Sequence, residues 1–307
     1  MTHDLIVIDV MYLFYRHLYR IRSHEEKYNS HLLSYNGVET ARMFFTLKDF
    51  ETIVNYSSPC HVCVCFDSKT TRKDDSAEYK AKRSRITDAD HEAVENTYKL
   101  LKKAGFAVLK VDGMEADDLV AAVVKTSKCH YDSVTIFTVD SDIAALVVDN
   151  VSVMRYKSSN SNKNGMHNNM LQAHTLINEK TFERCLGNEF GVSMPFNSII
   201  LYKCTVGDKS DNIKGISGFG VSAYGKMLSE LNGHVNMRTL NEPENVEKVL
   251  RYYFEDSDKL NQAIESLSLV RSRTSRELES AISEIDLRYV SKDSRRDAYM
   301  QYGMKIV

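Results

Sequence analysis

Five short stretches of near-continuous apolar sequence set the strongest limit on what this chain can fold into. They are Leu5-Ile6-Val7-Ile8, Val62-Cys63-Val64-Cys65-Phe66, Phe106-Ala107-Val108-Leu109, Val134-Thr135-Ile136-Phe137-Thr138-Val139 and Val151-Ser152-Val153-Met154. Each has the length of a strand, and a strand apolar at successive positions must be covered on both faces, because its side chains alternate between them. Helical spacing lies between. Val94, Tyr98, Leu101 and Ala104 recur at helical intervals across 88–104 and stop at Gly105, while 116–125 reads as a second helix rich in Ala and Val. Strands alternating with helices predict an α/β domain on a mostly parallel central sheet.

At 307 residues, 43% of them hydrophobic, the chain can bury one sizeable core and a smaller second one. Charged residues make up 27%, Pro only 3, and no apolar run approaches the roughly 18 residues of a membrane span, which argues against a Pro-rich linker, a disordered tail or a transmembrane protein. Met1-Thr2-His3-Asp4-Leu5 carries no basic stretch ahead of an apolar one, so a cytoplasmic protein without a secretory signal is expected. Forty basic residues against 42 acidic leave a net charge of −2, so a nucleic-acid partner must be met by a local patch. Cys60, Cys63 and Cys65 invite a zinc reading, but no second Cys or His pair stands at ligand spacing, and the latter two fall inside an apolar run. Buried, reduced thiols fit better.

The grammar changes after the fifth strand. Residues 158–169 are polar and aperiodic and read as a mobile loop; from about 175 onward there are helical patterns and turn glycines but no strand series. We therefore expect an α/β core over 1–174 and a helical subdomain over 175–307 packed on it. No internal repeat is visible.

The acids fall in telling places. Asp9 ends the first strand, Asp67 the second, and Asp140 with Asp142 a later one, which puts them at the carboxyl edge of a parallel sheet, where α/β sites form. Glu115, Asp117 and Asp118 sit where another strand turns into a helix, and Asp208 and Asp211 occupy the turn Val206-Gly207-Asp208-Lys209-Ser210-Asp211-Asn212. Converging carboxylates raise one another's pKa and oppose folding unless a counter-charge is present. A divalent cation supplies it, and oxygen-only ligation suits Mg²⁺ or Mn²⁺. Any one strand-end Asp is more often a helix cap than a ligand, and Asp4, Asp49 and Asp112 read as solvated or capping residues.

Four segments resemble the structure-specific 5′ nuclease family, which comprises flap endonucleases, bacteriophage 5′→3′ exonucleases and the 5′-nuclease domain of bacterial DNA polymerase I. They are Ile8-Asp9 through Arg16; Cys65-Phe66-Asp67 followed by Tyr79-Lys80-Ala81-Lys82-Arg83; Gly113 to Asp118 with Thr138-Val139-Asp140-Ser141-Asp142; and Val206 to Ile213 leading into Gly215-Ile216-Ser217-Gly218-Phe219-Gly220. The resemblance runs from Ile6 to about Leu228. Val10, Ser68 and Lys214 depart from the usual residues without removing a charge the chemistry needs.

The resemblance implies a PIN-like nuclease core with a helical arch at about 68–88 and a helix–turn–helix in the helical subdomain. It implies two Mg²⁺ ions, replaceable by Mn²⁺, roughly 4 Å apart across one scissile phosphate, and K⁺ at the helix–turn–helix. Asp9, Asp67, Glu115 and Asp117 would serve the first ion, Asp140, Asp142 and Asp211 the second, with Asp118 and Asp208 shared or holding metal-bound waters. The implied partners are DNA with a 5′ flap, nick, gap or free 5′ end, an RNA/DNA hybrid, and a single-strand-binding protein or clamp, for a monomer with no membrane contact. The nearest relative in kind is a stand-alone phage-like enzyme, acting in the host cytoplasm.

Residues 69–85 hold seven basic residues against three acidic ones, the local patch that the net charge hides. Beside a phosphate site, Lys80 and Arg83 would offset developing charge, Tyr79 could stack on a base, Lys82 adds a contact, and Arg16 is the other cationic candidate. Gly215, Gly218 and Gly220 would let backbone N–H groups approach a duplex phosphate, with Lys226 adding charge. Two other readings stay open, a PIN-type ribonuclease and a branched-DNA-binding protein with weak catalysis. The basic arch and the glycine turn oppose the first, the full acid set the second.

Overall fold

The computed structural model describes residues 4–30, 32–57, 60–69, 71, 78–81, 86–156, 171 and 174–306. All five apolar runs form strands: β1 (Asp4–Asp9), β4 (His61–Cys65), β5 (Ala107–Leu109), β6 (Ser133–Thr138) and β7 (Val151–Tyr156), while β2 (Ser34–Tyr35) and β3 (Val38–Glu39) make a small separate hairpin. A further strand, β8 (His174–Ile177), completes a six-stranded sheet in the order β5-β4-β1-β6-β7-β8. Neighbours are parallel except β7 and β8. The sequence offered no strand at 174–177, where the burial pattern of an edge strand is mixed.

Alternation along the strands divides the core in two. Ile6, Ile8, Val62, Val64 and Phe137 face a layer made of α1 (Val10–Tyr28), α2 (Ala41–Tyr56) and α3 (Asp88–Ala104). Leu5, Val7, Cys63, Cys65, Val134 and Ile136 face α4 (Ala116–Ser127) and the helices that follow β8. Those helices are α5 (Phe182–Phe190), α6 (Ile199–Val206), α7 (Val221–Leu231), α8 (Pro243–Tyr253), α9 (Ser257–Val270) and α10 (Arg276–Ser283). The last helix, α11 (Lys292–Met300), belongs with α1 to α3 instead. Its buried Arg295 pairs with Glu51 (3.1 Å), and the Tyr299 hydroxyl donates to the same carboxylate (2.6 Å).

Local signals explain the boundaries. Thr87 and Asp90 form a reciprocal capping box at the start of α3, and Gly105 ends it with φ 100°, a left-handed backbone that suits glycine. Cys60, Cys63, Cys65, Cys185 and Cys204 are buried free thiols and Cys129 is exposed, in keeping with strand and core packing rather than zinc. Among the described residues no helix is long and apolar enough to cross a membrane. The proposed loop at 158–169 and most of the arch at 68–88 lie outside the described residues.

Candidate metal centre

β1 lies between β4 and β6, so the strand order changes direction at the centre of the sheet, and the crevice beyond the carboxyl ends of these strands receives the acids. Asp9, at the end of β1, accepts from the Met11 N–H (3.1 Å) and the Thr138 hydroxyl (3.1 Å); it is at once a helix cap and the central carboxylate. Thr138 Oγ1 in turn accepts from the Asp140 N–H (3.1 Å), and Asp140 accepts from that of Asp142 (2.9 Å), which fixes the pair after β6. Asp67, just past β4, accepts from the Ala116 N–H (2.7 Å) at the first turn of α4, where the helix dipole favours an anion.

These carboxylates are held where ionisation is costly. Burial pushes Asp9 up to about 7, helped by the negative charges of Asp67 and Asp140 against its hydrogen bonds from Thr138 and Met11. Asp117 lies well above the carboxylate range, through burial and then Asp140, Asp9 and Asp67, with Lys80 pulling the other way. Asp142 rises to about 7, burial outweighing the neighbouring Lys203. Such a set calls for positive charge.

Two lysines provide it. Lys80 Nζ lies 2.9 Å from Glu115 Oε1 and 3.9 Å from Asp211 Oδ2. Lys203, in α6 and only 3% exposed, pairs with Asp142, with Asp208 (2.6 Å) and, at 3.9 Å, with Asp140. Burial works against its ammonium, yet the three acids outweigh it and raise its pKa, while Lys203 holds Asp208 below the usual range despite burial. The sequence reading missed Lys203. Its signal was a lone lysine in the otherwise apolar run Ile199-Ile200-Leu201-Tyr202-Lys203-Cys204, a place where a charge survives only if paired.

Among the described residues no three carboxylates are already drawn into a cage for one cation. The donor chemistry nonetheless fits divalent ions: oxygen-only carboxylates on one crevice, with Asp9 and Asp142 pushed up to about 7 chiefly by burial. Asp118 is placed differently from the others. Its two oxygens accept from the backbone of Glu115 (3.1 Å) and of Arg273 (2.7 Å), so it braces α4 and the segment before α10.

Other expected residues divide. Tyr79, expected to stack on a base, is only 2% exposed and donates its hydroxyl to Glu115 (3.1 Å), so its ring offers no face to a nucleobase. Arg16 pairs with Asp49 and lies over the Tyr156 ring, 5.3 Å from its centroid; Asp49, read as solvated or capping, is buried between Arg16 and His17. Lys82 and Arg83 lie outside the described residues. Gly215 is packed inward: a Cβ there would meet Gly207 N at 2.5 Å and Thr205 O at 2.6 Å, so it closes the turn. Gly218 (φ 74°) and Gly220 have open space where a side chain would stand, and Lys226 is exposed. Gly220, the residue before α7, has φ −96°.

Residues 4–180 match the family described as 5′-3′ exonuclease, N-terminal resolvase-like domain. The chain is 29% identical to a 5′-3′ exonuclease of Bacillus subtilis over 235 residues, 75% of this chain and 71% of the relative. It is 27% identical to DNA polymerase I of Caldicellulosiruptor bescii over 201 residues, spanning 65% of this chain but only 22% of the polymerase. Among solved structures, a bacteriophage T5 protein co-crystallised with metal ions superposes over 98% of both chains with a TM-score of 0.58 at 17% identity. The T5 flap endonuclease in a pseudo-enzyme-product complex with DNA and metal ions matches with a TM-score of 0.51 at 17% identity, over 98% of this chain and 100% of that one.

Proposed function

Because the chain belongs to the 5′-3′ exonuclease family, we propose that it is a divalent-metal-dependent 5′→3′ exonuclease and 5′-flap endonuclease that hydrolyses phosphodiesters near single-strand/duplex junctions in DNA. The observation that carries the reading is the crowding of Asp9, Asp67, Glu115, Asp117, Asp140, Asp142, Asp208 and Asp211 around Lys80 and the buried Lys203 at the carboxyl edge of the sheet. The T5 protein co-crystallised with metal ions shares the fold, and the T5 flap endonuclease was solved with DNA and metal ions, which supports the same ligands here.

Asp9, Asp67, Glu115 and Asp117 would hold one ion, and Asp140, Asp142 and Asp211 the second, with Asp208 close by. Mg²⁺ is the proposed ion and Mn²⁺ its substitute, and when bound such ions make a water nucleophilic and stabilise the leaving oxygen. The protein's own residues orient and screen. Asp118 keeps α4 in register, Lys80 presents an ammonium to the developing phosphate charge, and no side-chain nucleophile is needed. Arg83 and Arg16 are proposed to assist Lys80, Lys82 to contact DNA beside it, and Gly218, Gly220 and Lys226 to grip a duplex phosphate, with K⁺ as the cation of that turn. These contacts go to the backbone, so structure rather than sequence is recognised. The wider role proposed is replication or repair, including removal of RNA primers, by a phage-encoded monomer in the host cytoplasm alongside a single-strand-binding protein or clamp.

The test is incubation with labelled 5′-flap DNA and a matched RNA, each with Mg²⁺ or with chelator. Cutting of the flap in Mg²⁺ alone is expected; preference for the RNA would point to a ribonuclease, and binding without cutting to a branched-DNA-binding protein. Lys80→Ala should slow single-turnover cleavage by about 100-fold with a much smaller loss of affinity. An affinity loss at unchanged rate would make Lys80 a docking residue instead. Gly218→Val should weaken duplex binding alike for unrelated sequences and flatten its salt dependence, because both the positive φ and the open approach to the amide are lost. Affinity measured against salt, after a thermal melt to check folding, decides this.

A further inference from the structure

Lys80 and the glycine turn look like separate devices in the sequence, but the structure joins them. Lys80 has φ 52° and Asn212 φ 60°, left-handed conformations that non-glycine residues seldom take and that surrounding contacts must enforce. Asparagine tolerates this region; lysine has no such excuse. The contacts lie between these two residues' own segments. The Lys80 N–H donates to the Asp211 carbonyl (3.0 Å), and the Asn212 side-chain amide donates to the Glu78 carbonyl (2.9 Å). Lys214 also pairs with the Glu78 carboxylate (2.8 Å), but both side chains are largely exposed, and such pairs hold little.

Resting on the nuclease reading above, we propose that Asn212 is a positioning residue that ties Lys80 to the duplex-facing turn. Residues 211–214 open directly into Gly215 to Gly220, so whatever fixes that turn on a duplex also fixes the backbone from which the Lys80 ammonium reaches Glu115. Asn212 does not touch the reacting atoms. It sets where Lys80 stands.

The experiment is a double-mutant cycle on the full chain with 5′-flap DNA. Asn212→Gly keeps the left-handed backbone and deletes the amide; Asn212→Asp keeps the shape but cannot donate. Each should slow single-turnover cleavage in Mg²⁺ about tenfold at unchanged flap-DNA affinity in Ca²⁺, and by less than about twofold when Lys80→Ala is already present. That loss of effect is what a merely structural role would not produce. Equal slowing with and without Lys80, or no slowing by either variant, overturns the inference. A wild-type chain that fails to cut flap DNA overturns the nuclease reading and this inference with it.

Discussion

Asp117→Asn lowers the rate of flap-DNA cleavage in Mg²⁺ by at least about 1,000-fold, since losing one ligand of a paired-ion site removes several kcal/mol of transition-state stabilisation. DNA affinity in Ca²⁺ is expected to change little, because the proposed duplex contacts at Gly218, Gly220 and Lys226 lie apart from Asp117. The same substitution makes the ion-free protein more heat-stable. Burial and the crowding of Asp140, Asp9 and Asp67 hold Asp117 above the carboxylate range against the pull of Lys80, so its ionisation opposes folding, and an amide of the same shape removes that opposition. A gain of about 1–2 °C per kcal/mol relieved is the scale to look for in a chain of 307 residues. The pH dependence follows in sign. Asp9 and Asp142 hold their protons up to about 7 in the folded chain, well above an ordinary aspartate's 3.8, so between those limits the native state binds more protons than the unfolded one. In chelator, stability therefore falls as pH rises from about 4 to about 7. Wild-type cleavage rates in Asp117→Asn, or a lower melting temperature without ions, would contradict the site as drawn.

Lys203→Met destabilises the ion-free protein by about 3–5 kcal/mol, the cost of leaving a buried charge partner alone. At pH 7 the pairing with Asp208 is fully present. Asp208, held below its ordinary value by Lys203, contributes stability above the carboxylate range, and Lys203, whose pKa is raised, contributes below the lysine range. Divalent ions at millimolar concentration should restore more stability to the variant than they add to wild type, since they supply the missing charge to Asp140, Asp142 and Asp208. Calorimetry in chelator and in Mn²⁺ measures both. Equal melting of variant and wild type in chelator would show that Lys203 is not the counter-charge.

How much of this was legible follows from what each residue needs to be recognised. Strands buried on both faces announce themselves by continuous apolarity, so β1, β4, β5, β6 and β7 could be read directly, and the ends of β1, β4 and β6 bring Asp9, Asp67 and Asp140 to one edge. β8 could not, because a four-residue edge strand next to a polar segment has no such run. The demand for counter-charge was legible in the acids, but not its source in the ion-free fold. Burial of Lys203 depends on how α6 meets the crevice, and burial of Tyr79 on how its chain returns to Glu115; neither is a property of spacing.

The return of α11 to the layer of α1, α2 and α3 bears on the order of events at the ribosome. Arg295 reaches back 240 residues to Asn55, and Tyr299 back 248 to Glu51. Contacts so distant in sequence form late, and synthesis delivers the early segments first. Until residues 290–304 emerge, Phe50, Leu100 and Phe106 lack part of their apolar cover, and Glu51, whose pKa burial raises against the pull of Tyr299 and Arg295, lacks both partners. The segments that carry the acids are thus synthesised before the segment that seals the opposite layer.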